Sequence, residues 1–368
     1  MFKRSKLEEW YEGKNPEYDI SECGMVNTIN LNQLTDFGKY QSLNILSDYG
    51  NSNGEMCLIN SICNIYGCNS ENVLITNGAS EALFILLSVL CDGRSEITCQ
   101  FPYYYPIESF FNRIECDIKW FVPELDLQFG FDIEKFKKVF SGNSDVALLN
   151  FPNNPTGIEL NDNDYANIID YAERTKKIVI FDEVTALSVN KTYIERNIHY
   201  HLDNCVCINS MSKAYGIPGL RVGWIIANKT TIKRCQIIKE LISICTSPVL
   251  QKISYDILKY RHYIINNNRK IVLHNINSLV RLINRYNFFL SINCIPQNCS
   301  FCLVKNHGRI IRDYEFCTKL YESYDVLITP GACFGLEGCF RIGLGINPDS
   351  FNNAINRMTA FINDCYRL

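Results

Sequence analysis

A lysine with polar neighbours lies near the middle of the chain, in the segment SMSKAYGIPGLRVG at residues 210–223. Lys213 follows Ser210 and Ser212 and precedes Arg221 by eight residues. Most lysines are solvated surface charges. A lysine amine can also act as a covalent nucleophile, and guanidinium groups bind phosphate. The segment therefore predicts a candidate catalytic lysine beside an anion-binding group.

A second candidate anion site lies in TNGASEAL, where Gly78, Ala79 and Ser80 follow a predicted strand and begin a predicted helix. Backbone N–H groups and the positive end of the helix dipole bind phosphate at such positions. The same residues also fit an ordinary Asn-Gly turn in which Ser80 caps the helix. Convergence with Ser210 and Arg221 would favour the phosphate site.

Short apolar runs alternate with amphipathic stretches through the middle of the chain. The runs that predict buried strands are VLITN (73–77), EITCQF (96–101), VALLNF (146–151), IVIFDEV (178–184) and VCINS (206–210). This alternation is typical of a doubly wound, mostly parallel α/β sheet, in which ligands bind at the carboxyl ends of the strands. Asn154, Asp182 and Ser210 follow or end such strands, so we expect them to share a crevice with Lys213.

The combination of a lysine, a strand-end aspartate and a phosphate pocket meets the requirements of pyridoxal 5'-phosphate (PLP). This cofactor needs a lysine for covalent attachment and a carboxylate that keeps its ring nitrogen protonated. It also needs an anchor for its phosphate group. The sequence therefore predicts a PLP site built around Lys213 and Asp182.

The pattern changes at about residue 229 to long helices, followed by shorter strands in FFLSI, SFCLV, VLITP and FRIGLG. We expect a second, smaller α+β region here. The predicted division has three parts: residues 1–40 form an arm that joins the small domain, residues 41–235 form a large PLP-binding domain, and residues 236–368 form linking helices and the small C-terminal domain.

Four of the 18 cysteines have a spacing that needs separate consideration. Cys294, Cys299 and Cys302 match the spacing of a plant-type iron–sulfur cluster, and Cys333 could be a fourth ligand. NCSFCLVK also alternates like a strand, which would place Cys299 and Cys302 on opposite faces. We favour the strand and predict no metal site.

The composition excludes several classes of protein. The chain has 368 residues, 47% of them hydrophobic, and a formal net charge of -3, which gives no electrostatic footprint for nucleic acid or an anionic membrane. The longest apolar stretch, residues 82–90, is too short to span a bilayer, and the first residues lack the apolar core of a signal peptide. We expect a soluble, cytoplasmic protein, for which small neutral or zwitterionic partners stay open.

Four motifs in order, FPNNPTG, IVIFDEV, SMSKAYGIPGLRVGW and FRIGLG, resemble fold-type I PLP enzymes of the aminotransferase class I/II family. The resemblance implies that Lys213 binds the cofactor covalently and moves the substrate Cα proton. It implies that Asp182 pairs with the ring nitrogen, that Asn154 bonds the ring 3-hydroxyl and contacts substrate, and that Tyr104 stacks on the ring. Arg341 matches the arginine that binds the substrate α-carboxylate.

The same resemblance implies a phosphate site and a shared dimer site. Tyr49 matches the tyrosine that reaches the phosphate of the neighbouring subunit, so a homodimer is implied. Thr185 stands where family members commonly carry a tyrosine that contacts the ring oxygen, so that oxygen would be less well supported here. The implied phosphate-binding residues are Gly78, Ala79, Ser80, Ser210, Ser212 and Arg221.

The first residues offer a narrower resemblance. KLEEWYEGKNPEYDISECGM is similar to the start of capreomycidine synthase and related PLP cyclases, which close guanidine rings on hydroxylated arginine. This implies a cyclase–dehydratase, with Gly24 near the substrate. Glu9, Asp19 and Glu22 are candidate partners for a guanidinium group, although any one of them could equally be an exposed charge.

Two alternatives stay open. An ordinary aminotransferase for an amino acid or amino-phosphate uses the same scaffold, and fold does not fix function. A non-catalytic PLP sensor is disfavoured because Lys213 and Arg341 are both present.

Overall fold

A seven-stranded sheet lies at the centre of the structure, a computed structural model that describes residues 4–26, 28, 30, 32, 34–35, 49–91, 95–103, 107–122, 131–187, 201–292, 294–307 and 312–366. In spatial order the strands are β2 (Val73–Thr76), β8 (Gly223–Ile226), β7 (Cys205–Ser210), β6 (Ile178–Asp182), β5 (Ser144–Asn150), β3 (Glu96–Gln100) and β4 (Asp117–Phe121). Strand β8 is antiparallel to both neighbours, and the other pairs are parallel. The sheet is thus mostly parallel, as predicted.

Both faces of this sheet are buried. In β6, Val179 and Phe181 belong to one hydrophobic cluster, whereas Ile180 belongs to another on the opposite face. Successive strand residues point to opposite faces, so a sheet covered on both sides needs apolar residues at every position. This explains why the sequence shows continuous apolar runs there.

Helices cover the two faces. One cluster contains side chains from the following helices: α2 (Met56–Tyr66), α5 (Ile133–Phe140), α6 (Asp162–Thr175) and α8 (Pro248–Leu258). The other contains side chains from three more: α3 (Ala79–Leu90), α4 (Ile107–Ile114) and α7 (Lys229–Ile242). Helix α3 begins directly after β2, at the carboxyl edge of the sheet, which places its first turn where ligands bind in this architecture.

A smaller antiparallel sheet forms a second layer. Its strands, in spatial order, are β12 (Thr329–Pro330), β13 (Cys339–Gly343), β10 (Phe301–Asn306) and β9 (Leu290–Ile292). Three helices pack on it: α9 (Arg261–Arg285), α10 (Asp313–Tyr324) and α11 (Pro348–Tyr366). A separate two-stranded sheet pairs β1 (Tyr18–Asp19) with β11 (Val326–Leu327). The division of the chain into domains stays a prediction.

The N-terminal segment packs on this smaller region. Helix α1 (Lys6–Tyr11) places Leu7 and Trp10 in the same hydrophobic cluster as β10 and β13. The indole of Trp10 donates a hydrogen bond to the Ile328 carbonyl at 3.0 Å.

Gly343, the last residue of β13, and Gly345, two residues later, allow the N-terminal segment to cross closely. A Cβ at Gly343 would lie 2.1 Å from the Glu22 carbonyl oxygen, and a Cβ at Gly345 would lie 2.1 Å from that of Gly24. Such distances are well inside van der Waals contact, so a larger residue at either position would displace the segment. The glycines of FRIGLG therefore hold the N-terminal segment against the end of β13.

Two elements differ from the expectation. VLITP forms two strands, because Val326 and Leu327 pair with β1 whereas Thr329 and Pro330 pair with β13. The long helical pattern after residue 229 is divided into three helices, with Pro248 at the start of α8, where proline is favoured because the first turn needs no N–H donor.

Candidate active site

A cavity of about 550 Å³ lies at the carboxyl ends of β5, β6 and β7. It brings together most of the residues that the sequence predicted for cofactor and substrate. The predicted residues that line it are Glu22, Ala79, Ser80, Asn154, Asp182, Thr185, Ser210, Ser212, Lys213, Arg221 and Arg341. Residues that are separated by up to 319 positions in the sequence thus meet in one crevice.

Lys213 lies three residues after the end of β7 and projects into this cavity. The neighbouring arm shapes its path: a Cβ at Gly24 would lie 2.9 Å from the Lys213 Cδ, and the Met25 N–H donates to the Lys213 carbonyl at 3.1 Å. Electrostatic interaction with Cys23 raises the pKa of Lys213, burial opposes this, and Glu22, at 3.6 Å from the Nζ, raises it further. In this structure the amine therefore holds its proton.

Asp182 ends β6 and is buried. Its Oδ2 accepts a hydrogen bond from the Tyr103 hydroxyl at 2.7 Å, and its Oδ1 accepts one from the Val184 N–H at 3.1 Å. Burial raises the pKa of the carboxyl to about 6, while the two hydrogen bonds lower it because they favour the ionised form. Near neutral pH the cavity thus contains a fixed, desolvated carboxylate, which suits a protonated ring nitrogen.

Arg221 and the first turn of α3 form a cradle with exposed donors. Gly78 is the N-cap of α3, has φ of +83°, and makes no side-chain capping bond. A Cβ at Gly78 would lie 2.3 Å from the Arg221 Nη2, so only glycine lets the guanidinium approach this turn. Arg221 Nη1 lies 3.5 Å from the Ser212 hydroxyl. Gly78, and not Ser80, is the N-cap of the helix. Ser210 and Arg221, whose convergence would favour a phosphate site, line the same cavity as Ala79 and Ser80.

Arg341, on β13, is buried and held by several oxygen atoms. Its Nη1 donates to Asn154 Oδ1 at 2.6 Å, and its Nη2 donates to the Ser21 carbonyl at 2.7 Å and to the Tyr11 hydroxyl at 3.0 Å. Its Nε is buried without a hydrogen-bond partner in the described part of the chain. The guanidinium is therefore fixed in place while one donor remains for a bound carboxylate.

Thr185 is buried and lines the cavity, at the position where the family commonly has tyrosine. Its hydroxyl donates to the Pro152 carbonyl. The hydroxyl is thus bonded to the backbone of the loop after β5, and its predicted relation to the ring oxygen stays a prediction.

The arm contributes a different set of acids from the predicted one. Glu22 and Glu8 line the cavity, whereas Glu9, one residue further along α1, does not, although Glu8 and Glu9 are both exposed. Asp19 Oδ1 accepts hydrogen bonds from the backbone N–H and the hydroxyl of Ser21, so this carboxylate closes a local turn. In the structure, Glu8 is the carboxylate of the arm that lines the cavity together with Glu22. The prediction of Glu9 and Asp19 for this position is wrong.

The two predicted tyrosines cannot be placed in the cavity. Tyr104 lies outside the described residues. Tyr49 is 83% exposed and does not line the cavity of its own chain. Its predicted role requires a second subunit and stays a prediction.

Several residues of the site escaped the sequence analysis. Tyr11 bonds the clamp arginine, Tyr103 bonds the strand-end aspartate, and Cys23 lies beside Lys213. Tyr103 stands next to the predicted Tyr104 in FPYYYP, which was the only available signal. Nothing in the sequence around Tyr11 or Cys23 indicates a contact with residues more than 180 positions away.

The cysteine spacing has a structural explanation. Cys302 and Val304 belong to the cluster beneath α9 and α11, whereas Leu303 points to the cluster of the large sheet, so this segment alternates as a strand. Cys299 is buried beside Cys23 and Phe301. Within the described ranges, no group of three or more His, Cys, Asp or Glu side chains is arranged to hold a metal ion.

Comparisons with known proteins place these features in a family. The sequence model described as aminotransferase class I and II matches residues 31–358. Nicotianamine aminotransferase A of Hordeum vulgare is 24% identical over 322 residues, which are 80% of this chain and 67% of that protein. Capreomycidine synthase of Streptomyces vinaceus is 22% identical over 274 residues, 74% of this chain and 69% of that protein. The alignments thus span about two thirds of these relatives.

A solved structure has the same fold. The PLP-dependent cyclase OrfR, solved in complex with Au, has a TM-score of 0.87 and 20% identity, covering 99% of this chain and 98% of the other. The site itself fits the cofactor, because the Gly78–Arg221 cradle, the buried Asp182 carboxylate and Lys213 face one cavity. As the family match extends over most of its length, the chain belongs to the aminotransferase class I and II family of fold-type I enzymes, and PLP is its cofactor.

Proposed function

We propose that this chain is a cyclase–dehydratase that acts on a hydroxylated arginine in specialised metabolite biosynthesis. The product would be a cyclic guanidino amino acid of the capreomycidine or enduracididine type, with its amino group retained. The observation that carries the proposal is that the arm brings two carboxylates, Glu8 and Glu22, to a cavity that also contains Arg341. An amino acid with a cationic side chain matches this distribution of charge. Similarity to capreomycidine synthase supports it.

The cofactor would be held by residues from three strand ends. Lys213 would bind it covalently, Asp182 would pair with its ring nitrogen, and Asn154 would bond its ring oxygen. When bound, PLP supplies an electron sink that makes the substrate Cα proton acidic. The residues that would hold its phosphate are Gly78, Ala79, Ser80, Ser210, Ser212 and Arg221.

The substrate would be oriented by Arg341, whose remaining donor and fixed position suit the α-carboxylate. Lys213 would then remove the Cα proton, which requires that the amine first lose the proton that Cys23 and Glu22 stabilise. Glu22 lies 3.6 Å from the Lys213 Nζ, an ion-pair distance, and would have to move closer to accept that proton. It is the carboxylate of the arm that pairs with this amine.

The overall reaction balances as loss of one water. The bond between the side-chain carbon and its hydroxyl oxygen breaks, and the oxygen leaves as water after gaining a proton. A guanidine nitrogen of the same substrate forms the new carbon–nitrogen bond and releases a proton. A hydroxyl at Cβ needs only the Cα proton transfer, whereas a hydroxyl at Cγ also needs removal of a Cβ proton.

A second candidate function is an aminotransferase that uses a keto-acid acceptor. The similarity to nicotianamine aminotransferase A, over a larger part of this chain than the similarity to capreomycidine synthase, favours it. The two functions share Lys213, Asp182 and Arg341, so those residues do not separate them. The fate of the amino group does.

The decisive experiment incubates the PLP-loaded protein with β-hydroxyarginine and with γ-hydroxyarginine, without a keto acid. Each substrate molecule should lose one water, a decrease of about 18 mass units, in a catalytic reaction. This loss, with the amino group retained, supports the cyclase–dehydratase. A single stoichiometric conversion to the keto acid and pyridoxamine phosphate, which becomes catalytic only after a keto acid is added, contradicts it and establishes the aminotransferase.

We also propose a cytoplasmic homodimer in which Tyr49 of each subunit completes the phosphate site of the other. Tyr49 is 83% exposed, so its side chain is free to contact a second subunit. Across the described helices, none is long and apolar enough to cross a membrane. Sedimentation of the wild type and of a Tyr49→Phe variant, together with cofactor affinity, tests the shared site.

A further inference from the structure

The Tyr103 hydroxyl donates a hydrogen bond to Asp182 that no part of the proposed reaction requires. The two oxygen atoms are 2.7 Å apart, and both residues are buried, with 4% and 8% of their surface exposed. Asp182 lies at the end of β6, and Tyr103 lies 79 positions earlier, in the loop after β3. The contact therefore joins the carboxyl ends of β3 and β6, the two strands on either side of β5.

The surrounding fold holds the phenol in place. The Tyr103 ring belongs to the hydrophobic cluster that contains Ile180 and Ile208 from β6 and β7. The preceding residue is also fixed, since Asn153 Nδ2 donates to the Pro102 carbonyl at 2.9 Å. A side chain that is packed on one side and tethered on the other keeps its hydroxyl directed at one acceptor.

This hydrogen bond favours one charge state of its acceptor. Burial raises the pKa of Asp182, and the Tyr103 hydroxyl lowers it by stabilising the carboxylate. The other charged groups that line the same cavity are Glu8, Glu22, Lys213, Arg221 and Arg341. Cys207 on β7 also interacts electrostatically with Asp182. Tyr103 is the side chain that donates directly to the carboxylate at hydrogen-bond distance.

A carboxylate that pairs with a ring nitrogen can either leave the shared proton on nitrogen or take it. Donation from a phenol makes the carboxylate a weaker base, so the proton stays on nitrogen. We propose that Tyr103 is a positioning residue that keeps this proton on the cofactor nitrogen by donating to Asp182. This rests on the proposed pairing of Asp182 with that nitrogen.

The first test is made on cofactor-free protein. Carbon-13 NMR of aspartate-labelled protein, with Asp182→Asn to assign the resonance, follows the Asp182 carboxyl as pH is changed. In Tyr103→Phe the pKa should move upward by about one unit, since one hydrogen bond to the charged form is lost. Tyr286→Phe is the matched control, because Tyr286 is also 4% exposed and its hydroxyl bonds Asn363 Oδ1 at 2.6 Å.

A second variant covers the case in which Tyr103→Phe does not fold. Replacement of Tyr103 by 3-fluorotyrosine keeps the shape and makes the hydroxyl a stronger donor, so the pKa of Asp182 should move downward. An unchanged Asp182 pKa in both folded variants would overturn the proposal. A shift of equal size in Tyr286→Phe would do the same, since it would mean a general effect of losing a buried hydroxyl.

The second test uses the holoenzyme with nitrogen-15 in the cofactor ring. The ring resonance should move toward its unprotonated position in Tyr103→Phe and stay in place in Tyr286→Phe. If Asp182→Asn also leaves the ring resonance in place, the pairing of Asp182 with the nitrogen is wrong and the proposed cofactor geometry fails. If only Tyr103→Phe leaves it in place, the pairing stands and the role of Tyr103 is wrong.

Discussion

The cofactor side and the arm side of the cavity are built by different means. On the cofactor side, Gly78, Asp182 and Lys213 each lie within three residues of the end of a strand of the large sheet. On the arm side, Tyr11, Glu8 and Glu22 reach the cavity because the N-terminal segment packs against β13 and β12. The first arrangement is local and repeats along the sheet, whereas the second depends on long-range contacts between the N-terminal segment and the smaller region. Changes on the cofactor side should therefore affect cofactor binding, and changes on the arm side should affect substrate binding.

Lys213→Ala should have the largest effect, because Lys213 contacts both the cofactor side and the arm side of the cavity. We expect turnover to fall by at least about 10³-fold and the visible absorbance of the covalently bound cofactor to disappear. Steady-state kinetics and an absorbance spectrum measure both. A variant with full activity would refute the assignment of this site.

Arg341→Ala should separate the two sides. We expect KM for the amino acid substrate to rise about 100-fold, because charge-assisted hydrogen bonds to the α-carboxylate are lost, while cofactor affinity changes less than about threefold. Substrate titrations and equilibrium dialysis of PLP give the two numbers. Equal losses in both would mean that Arg341 acts through the fold and not through substrate.

Gly78→Ala tests the cofactor side alone. The added methyl group would meet the Arg221 guanidinium at 2.3 Å on a backbone with φ of +83°, so we expect PLP affinity to fall roughly 10-fold and the unfolding free energy to fall by about 1–3 kcal/mol. Gly219→Ala is the control, since nothing lies within 4 Å of its Cβ position. Calorimetry with and without PLP separates the two effects, and similar losses in both variants would count against a phosphate cradle.

Glu8→Gln gives the smallest and most specific effect. If Glu8 meets a cationic side chain, apparent substrate affinity should fall about three- to fivefold, the size of a partly exposed ion pair, with PLP affinity unchanged. Glu9→Gln removes the same charge from the outer face of α1 and should have no effect. Identical affinities for the two variants and the wild type would remove Glu8 from substrate recognition.

The same contrast explains what the sequence could predict. Asp182 and Lys213 were predictable because polar residues directly after buried apolar runs are unusual and lie at a known edge of an α/β sheet. Glu8 was not, because the face that a short helix presents depends on its rotation: Leu7 and Trp10 pack in the core, and this turns Glu8 and Tyr11 toward the cavity and Glu9 away from it. If helix α1 were rotated by one residue, a different carboxylate would face the cavity.

Other features of the structure could not be predicted from the sequence, for different reasons. Strand β8 has only four residues, Gly223–Ile226, and directly follows the loop of Arg221. The sequence pattern therefore does not separate this strand from the motif around Lys213. Tyr103 stands beside another tyrosine, and its role depends on the orientation of one hydroxyl, which residue type does not determine. Predicted elements were thus longest and clearest where burial on both faces forced a continuous apolar pattern.

The close crossing at Gly343 and Gly345 has a consequence for how the protein is made. A ribosome releases residues 20–24 long before it releases β13, so this early segment lacks its contacts with β13 while the large sheet is already able to form. During that interval Lys213 and the phosphate cradle can exist without Glu22, Gly24 or the Arg341 contacts. We therefore expect nascent chains that are stalled before residue 341 to be accessible to proteolysis in their first 26 residues and to become protected only after the final strand and helix have emerged.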